Sequence, residues 1–221
     1  MKLSRLRSDL LLWAADSGRD FPWRNRRAGT YEQIVVEVLL QRTTAASVAR
    51  FYAFFFERFP SWEDLAAANI EDLERFLKPL GLWRRRATSL LGLAKYVVAH
   101  GGCFPHDSAQ HRAIPAVGQY VSNAIVMFQN GQAAPLLDVN MARVIERYVR
   151  PRRLADIRHD PWLQEAAHWL VRCAIPARVN WAVLDFAALV CTARNPACSG
   201  CPVNTRCSDL RARKGERPVA K

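Results

Sequence analysis

Apolar residues return every three or four positions along most of this chain. Tyr31, Ile34, Val35, Val38 and Leu39 share one helical face, and Val144, Ile145 and Tyr148 repeat the pattern a hundred residues later. The opening stretch "LSRLRSDLLLWAADSG" reads as an amphipathic helix, and alternating strand patterns are scarce. The spacing therefore predicts an all-α fold. Clusters of Gly, Pro and polar residues, such as "GRDFPWRNRRAGT", "RFPSWEDL", "KPLGLW", "AHGGCFPHDS", "NGQAAP" and "CAIPARVN", cut it into roughly ten segments. The closing "DLRARKGERPVAK" is expected to fray.

Length and composition add a partner to this picture. The 221 residues are half hydrophobic, enough to bury a real core, and carry a formal charge of +12. That excess favours a polyanion, with nucleic acid first among candidates. No apolar run approaches the ~20 residues needed to span a bilayer, and no secretory pattern opens the chain, so cytoplasmic residence is expected. Only five of the 32 basic residues are lysines, and none lies between Lys95 and Lys214. A lysine amine is thus missing from the stretch that carries the motifs below.

Four of the six cysteines crowd one end: Cys191, Cys198, Cys201 and Cys207, spaced C-x6-C-x2-C-x5-C. In a cytoplasmic chain such a group points to a metal rather than to disulfides. Thiolate chemistry alone leaves zinc and an iron-sulfur centre both open. Cys103 and Cys173 stand apart and read as packing residues. Arg194, in the loop "TARNPA", would be held against a phosphate backbone by a metal that stiffens that loop.

Two further stretches carry candidate chemistry. In "IPAVGQY" a proline and a glycine three residues apart precede an apolar helix, describing two helices joined by a tight turn whose N–H groups suit a phosphate. On its own such a corner is equally an ordinary helix entry. Twenty residues after Gly118, "LLDVNMARVIERY" places Asp138 where a helix begins, a natural N-cap. Glu37 interrupts the aliphatic run "IVVEVLL", so it either meets a partner such as Arg42 or keeps its proton for use.

Together these motifs resemble the helix-hairpin-helix DNA glycosylases that carry an iron-sulfur cluster. The resemblance runs from about residue 8 to 210 and rests on "FPWR", "VEVLLQRTTAASV", "LGLWRRRA", "IPAVGQY", "LLDVNMARVIERY" and "LDFAALVCTARNPACSGCPVNTRC". It implies two helical lobes with a DNA cleft between them: a six-helix barrel carrying the hairpin over 22–136, and a cluster domain from 1–21 and 137–221. It also implies a structural [4Fe-4S] cluster on the four cysteines and double-stranded DNA with a mismatched or damaged base as the partner of a monomer, associated with the nucleoid through that DNA.

Residue roles follow from the resemblance alone. Asp138 acts on the flipped nucleotide, Asn140 supports it, Glu37 serves the leaving base, and Tyr120 lines the pocket. The hairpin residues Ala116, Val117, Gly118 and Gln119 hold the DNA backbone. Gln41, Arg42 and Leu82 match positions that contact the orphaned strand or fill the gap left by the flipped base. In the endonuclease III branch the position of Tyr120 is a lysine that forms a Schiff base, and a phenol cannot do so. Tyr120, Glu37 and "LLQRTTA" look most like the mismatch-specific thymine glycosylases, which remove T or U opposite G. An adenine glycosylase, another damaged-base glycosylase and a non-catalytic DNA-binding module are the alternatives. One departure stands out: where the family has Pro-Gly-Val-Gly this chain has Ala116, which costs on the order of 1 kcal/mol if the turn requires positive φ.

Overall fold

The structure, a computed structural model, describes residues 2–25 and 28–215. Residues 26–27 of the first turn segment and the tail from residue 216 lie outside it. Eleven α-helices and four short 3-10 turns make up the described residues, without a strand. No helix among them is long and apolar enough to cross a membrane. The contacts divide the chain into two compact units, Asp20–Gly131 and Met1–Arg19 with Gln132–Lys221.

In chain order the helices are α1 (Lys2–Ser17), α2 (Thr30–Leu39), α3 (Ala45–Arg58), α4 (Trp62–Ala66), α5 (Ile70–Leu77), α6 (Trp83–Ala99), α7 (Gln119–Phe128), α8 (Val139–Tyr148), α9 (Pro161–Val171), α10 (Pro176–Leu189) and α11 (Ser208–Arg213). Caps set many of the starts: the side chains of Thr44, Ser61, Asn69, Asp138 and Asp160 each accept a backbone N–H from the first turn of the helix they precede. Residues 208–213, inside the stretch expected to fray, form α11, tied by an Arg213–Asp209 ion pair of 2.7 Å.

The Asp20–Gly131 unit buries α2 along nearly its whole length against α6 and α7. Ring contacts run from Phe76 through Phe59, Phe55, Phe56 and Tyr31 to Trp62 and Phe104. The second unit packs α1 against α9 and α10, with α8 laid on α10. Leu6 and Leu10 from α1 meet Met141, Ile145, Leu170 and Phe186 in its core. The N-terminal helix thus serves the core built by the last third of the chain.

Candidate active site and cysteine loop

The run around Glu37 is buried on every side, and the carboxylate itself is only 2% exposed. Tyr120, the second residue of α7, donates its Oη hydrogen to Glu37 Oε2 at 2.8 Å. Packing of α2 on α7 brings together two residues 83 positions apart. A phenol donor meets part of the cost of burying a carboxylate. Arg42, the partner named from sequence, is an exposed residue of the loop after α2, at φ 57°.

The hairpin differs from two joined α-helices. Its first limb is a 3-10 helix, Ser108–Ala113, opened by Asp107 accepting from Ala109 N and closed before Pro115. His111 pins this limb: its Nε2 donates to the Pro105 carbonyl and its Nδ1 meets Ser122 Oγ on α7, both at 2.8 Å. Ala116 occupies the left-handed region at φ 64°, so alanine stands where glycine would be unstrained. Val117 has its side chain in the core, and its N–H donates to the Ile114 carbonyl at 3.2 Å. Ala116, Gly118 and Gln119 are exposed, and Gly118 is the N-cap of α7.

In the other unit, Asp138 is held at three points. Its Oδ1 accepts from the N–H groups of Asn140 and Met141, both at 2.9 Å, and its Oδ2 accepts from Asn140 Nδ2 at 2.6 Å. The segment leading to it is anchored by the fully buried Asn180, whose amide accepts from Leu136 N and donates to the Ala134 carbonyl. Asn140 Oδ1 in turn accepts both guanidinium nitrogens of Arg143 at 3.1 Å. Arg143 also donates to the carbonyls of Cys191 and Ala187. One turn on, Arg147 donates to the Thr192 and Ala193 carbonyls and lies 3.5 Å from Cys191 Sγ. A continuous polar chain therefore runs from the Asp138 carboxylate to the start of the cysteine loop.

All four clustered cysteines line one cavity, whose apolar wall includes Val144, Phe186 and Val203. They form no disulfide. Among the described residues no three Cys, His, Asp or Glu side chains converge closely enough for a single metal ion. Four thiols lining one apolar-walled cavity are a donor set that fits a [4Fe-4S] cluster. Burial pushes the Cys201 thiol up to about 11, and the neighbouring thiols add to the effect, so ligation requires loss of protons to a cationic centre. Arg194 is exposed on this loop. Cys173 packs against the core of this unit, whereas Cys103 is exposed and is not a packing residue.

Gln41, Arg42 and Leu82 are exposed, on the loops that follow α2 and precede α6. The sequence reading missed Arg143, Asn180, His111 and Arg86. Helical spacing offered a signal for Arg86, which precedes the buried Leu90 by four positions and Leu93 by seven. His111, Arg143 and Asn180 meet partners across loops, and no local spacing marks them.

Residues 35–157 match the family described as HhH-GPD superfamily base excision DNA repair protein, and residues 191–207 match the iron-sulfur binding domain of endonuclease III. The chain accordingly carries a [4Fe-4S] cluster, and the matched segment contains Cys191, Cys198, Cys201 and Cys207. The chain is 34% identical to a thymine-DNA glycosylase of Aeropyrum pernix, over 93% of this chain and 94% of that protein. It is 33% identical to a thymine/uracil-DNA glycosylase of Pyrobaculum aerophilum, covering 90% and 89%. Human adenine DNA glycosylase is also 33% identical, but the match takes in 39% of its length. The solved structure of a thermostable thymine-DNA glycosylase superposes with a TM-score of 0.87 at 31% identity, covering 96% of this chain and 97% of that one. An endonuclease III–DNA complex, at 20% identity and a TM-score of 0.80, shares the fold. With its hairpin, capped aspartate and cysteine loop in place, the chain belongs to the HhH-GPD superfamily of base excision DNA repair proteins.

Proposed function

We propose that this DNA glycosylase removes thymine or uracil mispaired with guanine, hydrolysing the N-glycosidic bond and leaving the strand intact. The observation that carries the reading is Tyr120, a phenol bonded to the buried Glu37 at the head of α7. No lysine lies between Lys95 and Lys214 to offer a Schiff-base amine there. The full-length similarity to thymine and thymine/uracil glycosylases supports the choice of base.

In this mechanism the basic chain binds duplex DNA through its backbone, and a mispaired base, cheap to unstack, leaves the stack. The N-terminus of α7 and the exposed residues Ala116, Gly118 and Gln119 take a phosphate. Arg194 adds a backbone contact from the cysteine loop. The Asp138 carboxylate, fixed by two N–H groups and Asn140, stabilises positive charge on the sugar and orients the water that adds to its anomeric carbon. As the bond breaks its electron pair leaves with the base, which takes a hydrogen bond or proton at the Glu37 and Tyr120 pair, while the water's proton passes to solvent. The cluster, held by Cys191, Cys198, Cys201 and Cys207, supplies a staple for the loop that Arg143 and Arg147 grip.

We assign the barrel to 22–136 and the cluster domain to 1–21 with 137–221, an assignment supported by the division of contacts after residues 19 and 131. The enzyme acts as a monomer, since the proposed machinery draws on one chain. Single-turnover assays on labelled G:T, G:U, A:8-oxoguanine and thymine glycol duplexes, with and without alkali, test the reading. Cleavage of G:T and G:U only after alkali is expected. Nicking without alkali, or release of adenine alone, would overturn it.

A further inference from the structure

Three non-glycine residues among those described adopt positive φ: Arg42 at 57°, Leu82 at 48° and Ala116 at 64°. Side chains with a β-carbon avoid this region, and such residues persist where their surroundings over-determine them. For Arg42 and Leu82 the determining group is the same. Arg86, on the first turn of α6, is 5% exposed, and its guanidinium reaches both loops. Nη1 donates to the Leu80 carbonyl at 3.0 Å and to that of Gly81. Nη2 donates to the Gln41 carbonyl at 2.9 Å and to Thr43 Oγ1 at 2.6 Å. Thr43 Oγ1 also reaches back to the Leu80 carbonyl at 3.4 Å.

The accepting carbonyls of Gln41 and Gly81 belong to the peptides immediately before the two strained residues. One planar fork therefore fixes both corners, which a single ammonium could not do. Its acceptors are carbonyls and a hydroxyl rather than a carboxylate, and burial pulls its pKa down. A buried cation held on these terms is costly, and the structure spends that cost on the geometry of two loop tips.

Those tips differ in chemistry. Leu82 is an apolar side chain 52% exposed on a stiff corner, whereas Gln41 and Arg42 present an amide and a guanidinium to solvent. An aliphatic wedge beside amide and guanidinium donors suits an opened base stack, where one parts neighbouring bases and the others meet base edges or phosphate. We propose that Arg86 is a positioning residue that sets Leu82 and the Gln41 and Arg42 corner as a rigid paired wedge, so that base extrusion depends on a side chain that touches no DNA. The proposal rests on the glycosylase reading above.

The test uses the full cluster-loaded chain with Arg86→Lys and, as a milder change, Thr43→Val. Four quantities are measured on a G:U duplex: melting temperature, affinity by anisotropy, fluorescence of a 2-aminopurine beside the uracil, and single-turnover excision. Arg86→Lys is expected to bind DNA within about threefold of wild type yet extrude and excise about 10- to 100-fold more slowly at saturating enzyme, the scale of a misplaced group. Thr43→Val should shift the same two rates in the same direction by about 3- to 10-fold, in line with the loss of one hydrogen bond. Wild-type 2-aminopurine signals and excision in both variants, or lowered melting with extrusion intact, would overturn the proposal. If Arg86→Lys does not accumulate folded, Thr43→Val decides by the same criterion. Failure of the wild type to excise from G:U or G:T would instead overturn the functional reading, while the ratio of variant to wild-type extrusion still decides the role of Arg86.

Discussion

Glu37 and Asp138 are both carboxylates on or beside a helix, and their surroundings are opposites. Glu37 sits inside α2 among aliphatic side chains and meets a phenol. Asp138 stands half-exposed at the head of α8, held by two backbone N–H groups and an amide. A carboxylate closed into an apolar site beside a phenol can hydrogen-bond only what enters that site, and one fixed by N–H donors at a helix head is aimed outward. In the proposed mechanism the environments, more than the residue types, divide the labour between base and sugar. Asp160 is the control: it too caps a helix in the second unit, but it is buried, and its carboxylate accepts from the backbone N–H groups of Arg153, Leu154 and Leu163. That is a cap closed to any substrate.

The sharpest way to break this comparison is to remove the charge from Asp138 alone. Asp138→Asn keeps an oxygen to accept from the first turn of α8, so folding and DNA affinity should survive, while excision falls by about a thousandfold or more. Single-turnover kinetics beside anisotropy reads both. Retained turnover would remove Asp138 from the chemistry and leave it a cap like Asp160.

Glu37→Gln comes next, with an expected loss of about 100-fold, the range of a general acid–base group. Tyr120→Phe should cost less, about tenfold, because it removes one neutral-donor hydrogen bond to a buried acceptor. If the phenylalanine variant loses as much as Glu37→Gln, the pair acts as one unit and a double-mutant cycle will show the non-additivity.

The polar chain behind Asp138 ties it to the cysteine loop, and cutting it tests the Asp138 half of the comparison. Arg143→Met leaves Asn140 Oδ1 and the Cys191 and Ala187 carbonyls without the donors shown for them. The expected result is a fall of about tenfold in the excision step, the lower end of what a misplaced group costs, with little change in affinity. Asn140→Ala should resemble it, and an Arg143→Met variant equal to wild type in rate would make the chain a structural tie only.

How much of this could be read from the sequence depends on the distance over which the information is written. The helical class follows from three- and four-residue spacing, and the cap at Asp138 from an aspartate poised before an apolar periodic run. The cysteine set is local too, and the family match decides between the two metal chemistries left open. What escaped was settled by topology. The partner of Glu37 lies 83 residues away, and Arg143 looks like any other arginine in "MARVIERY" until α8 is laid on α10. Arg86 hides among three consecutive arginines, although only its position falls on the buried stripe of α6. Cys103 misled because an isolated cysteine is most often buried, and here it follows two glycines at positive φ on an exposed turn.

The control carboxylate gives a smaller effect with a definite sign. Backbone N–H donation, first from Leu154 and Leu163, holds the Asp160 carboxyl below its ordinary value. A depressed folded pKa contributes stability that is fully present above the unfolded value of about 3.9 and is lost as pH falls through the folded one. Melting temperature followed from neutral pH down to about pH 3 should therefore drop more steeply for wild type than for Asp160→Asn, and excision near neutral pH should be equal in the two. Parallel curves would mean that the cap contributes nothing through its charge.

The smallest expected effect is at Ala116, where two terms oppose each other. Relieving a left-handed alanine by Ala116→Gly should return about 1 kcal/mol, whereas glycine loosens the unfolded chain by about 0.4–1 kcal/mol. The two nearly cancel, so melting should shift by no more than a few degrees, upward if at all. DNA affinity separates what stability cannot. Alanine already holds the turn at φ 64°, so the amides at the head of α7 stand where glycine would place them, and affinity should change by less than about twofold. Binding at least tenfold tighter in the glycine variant would mean that the exposed Ala116 methyl obstructs the phosphate itself, making the hairpin of this chain a weakened grip and shifting more of the burden of holding DNA onto the loops that Arg86 fixes.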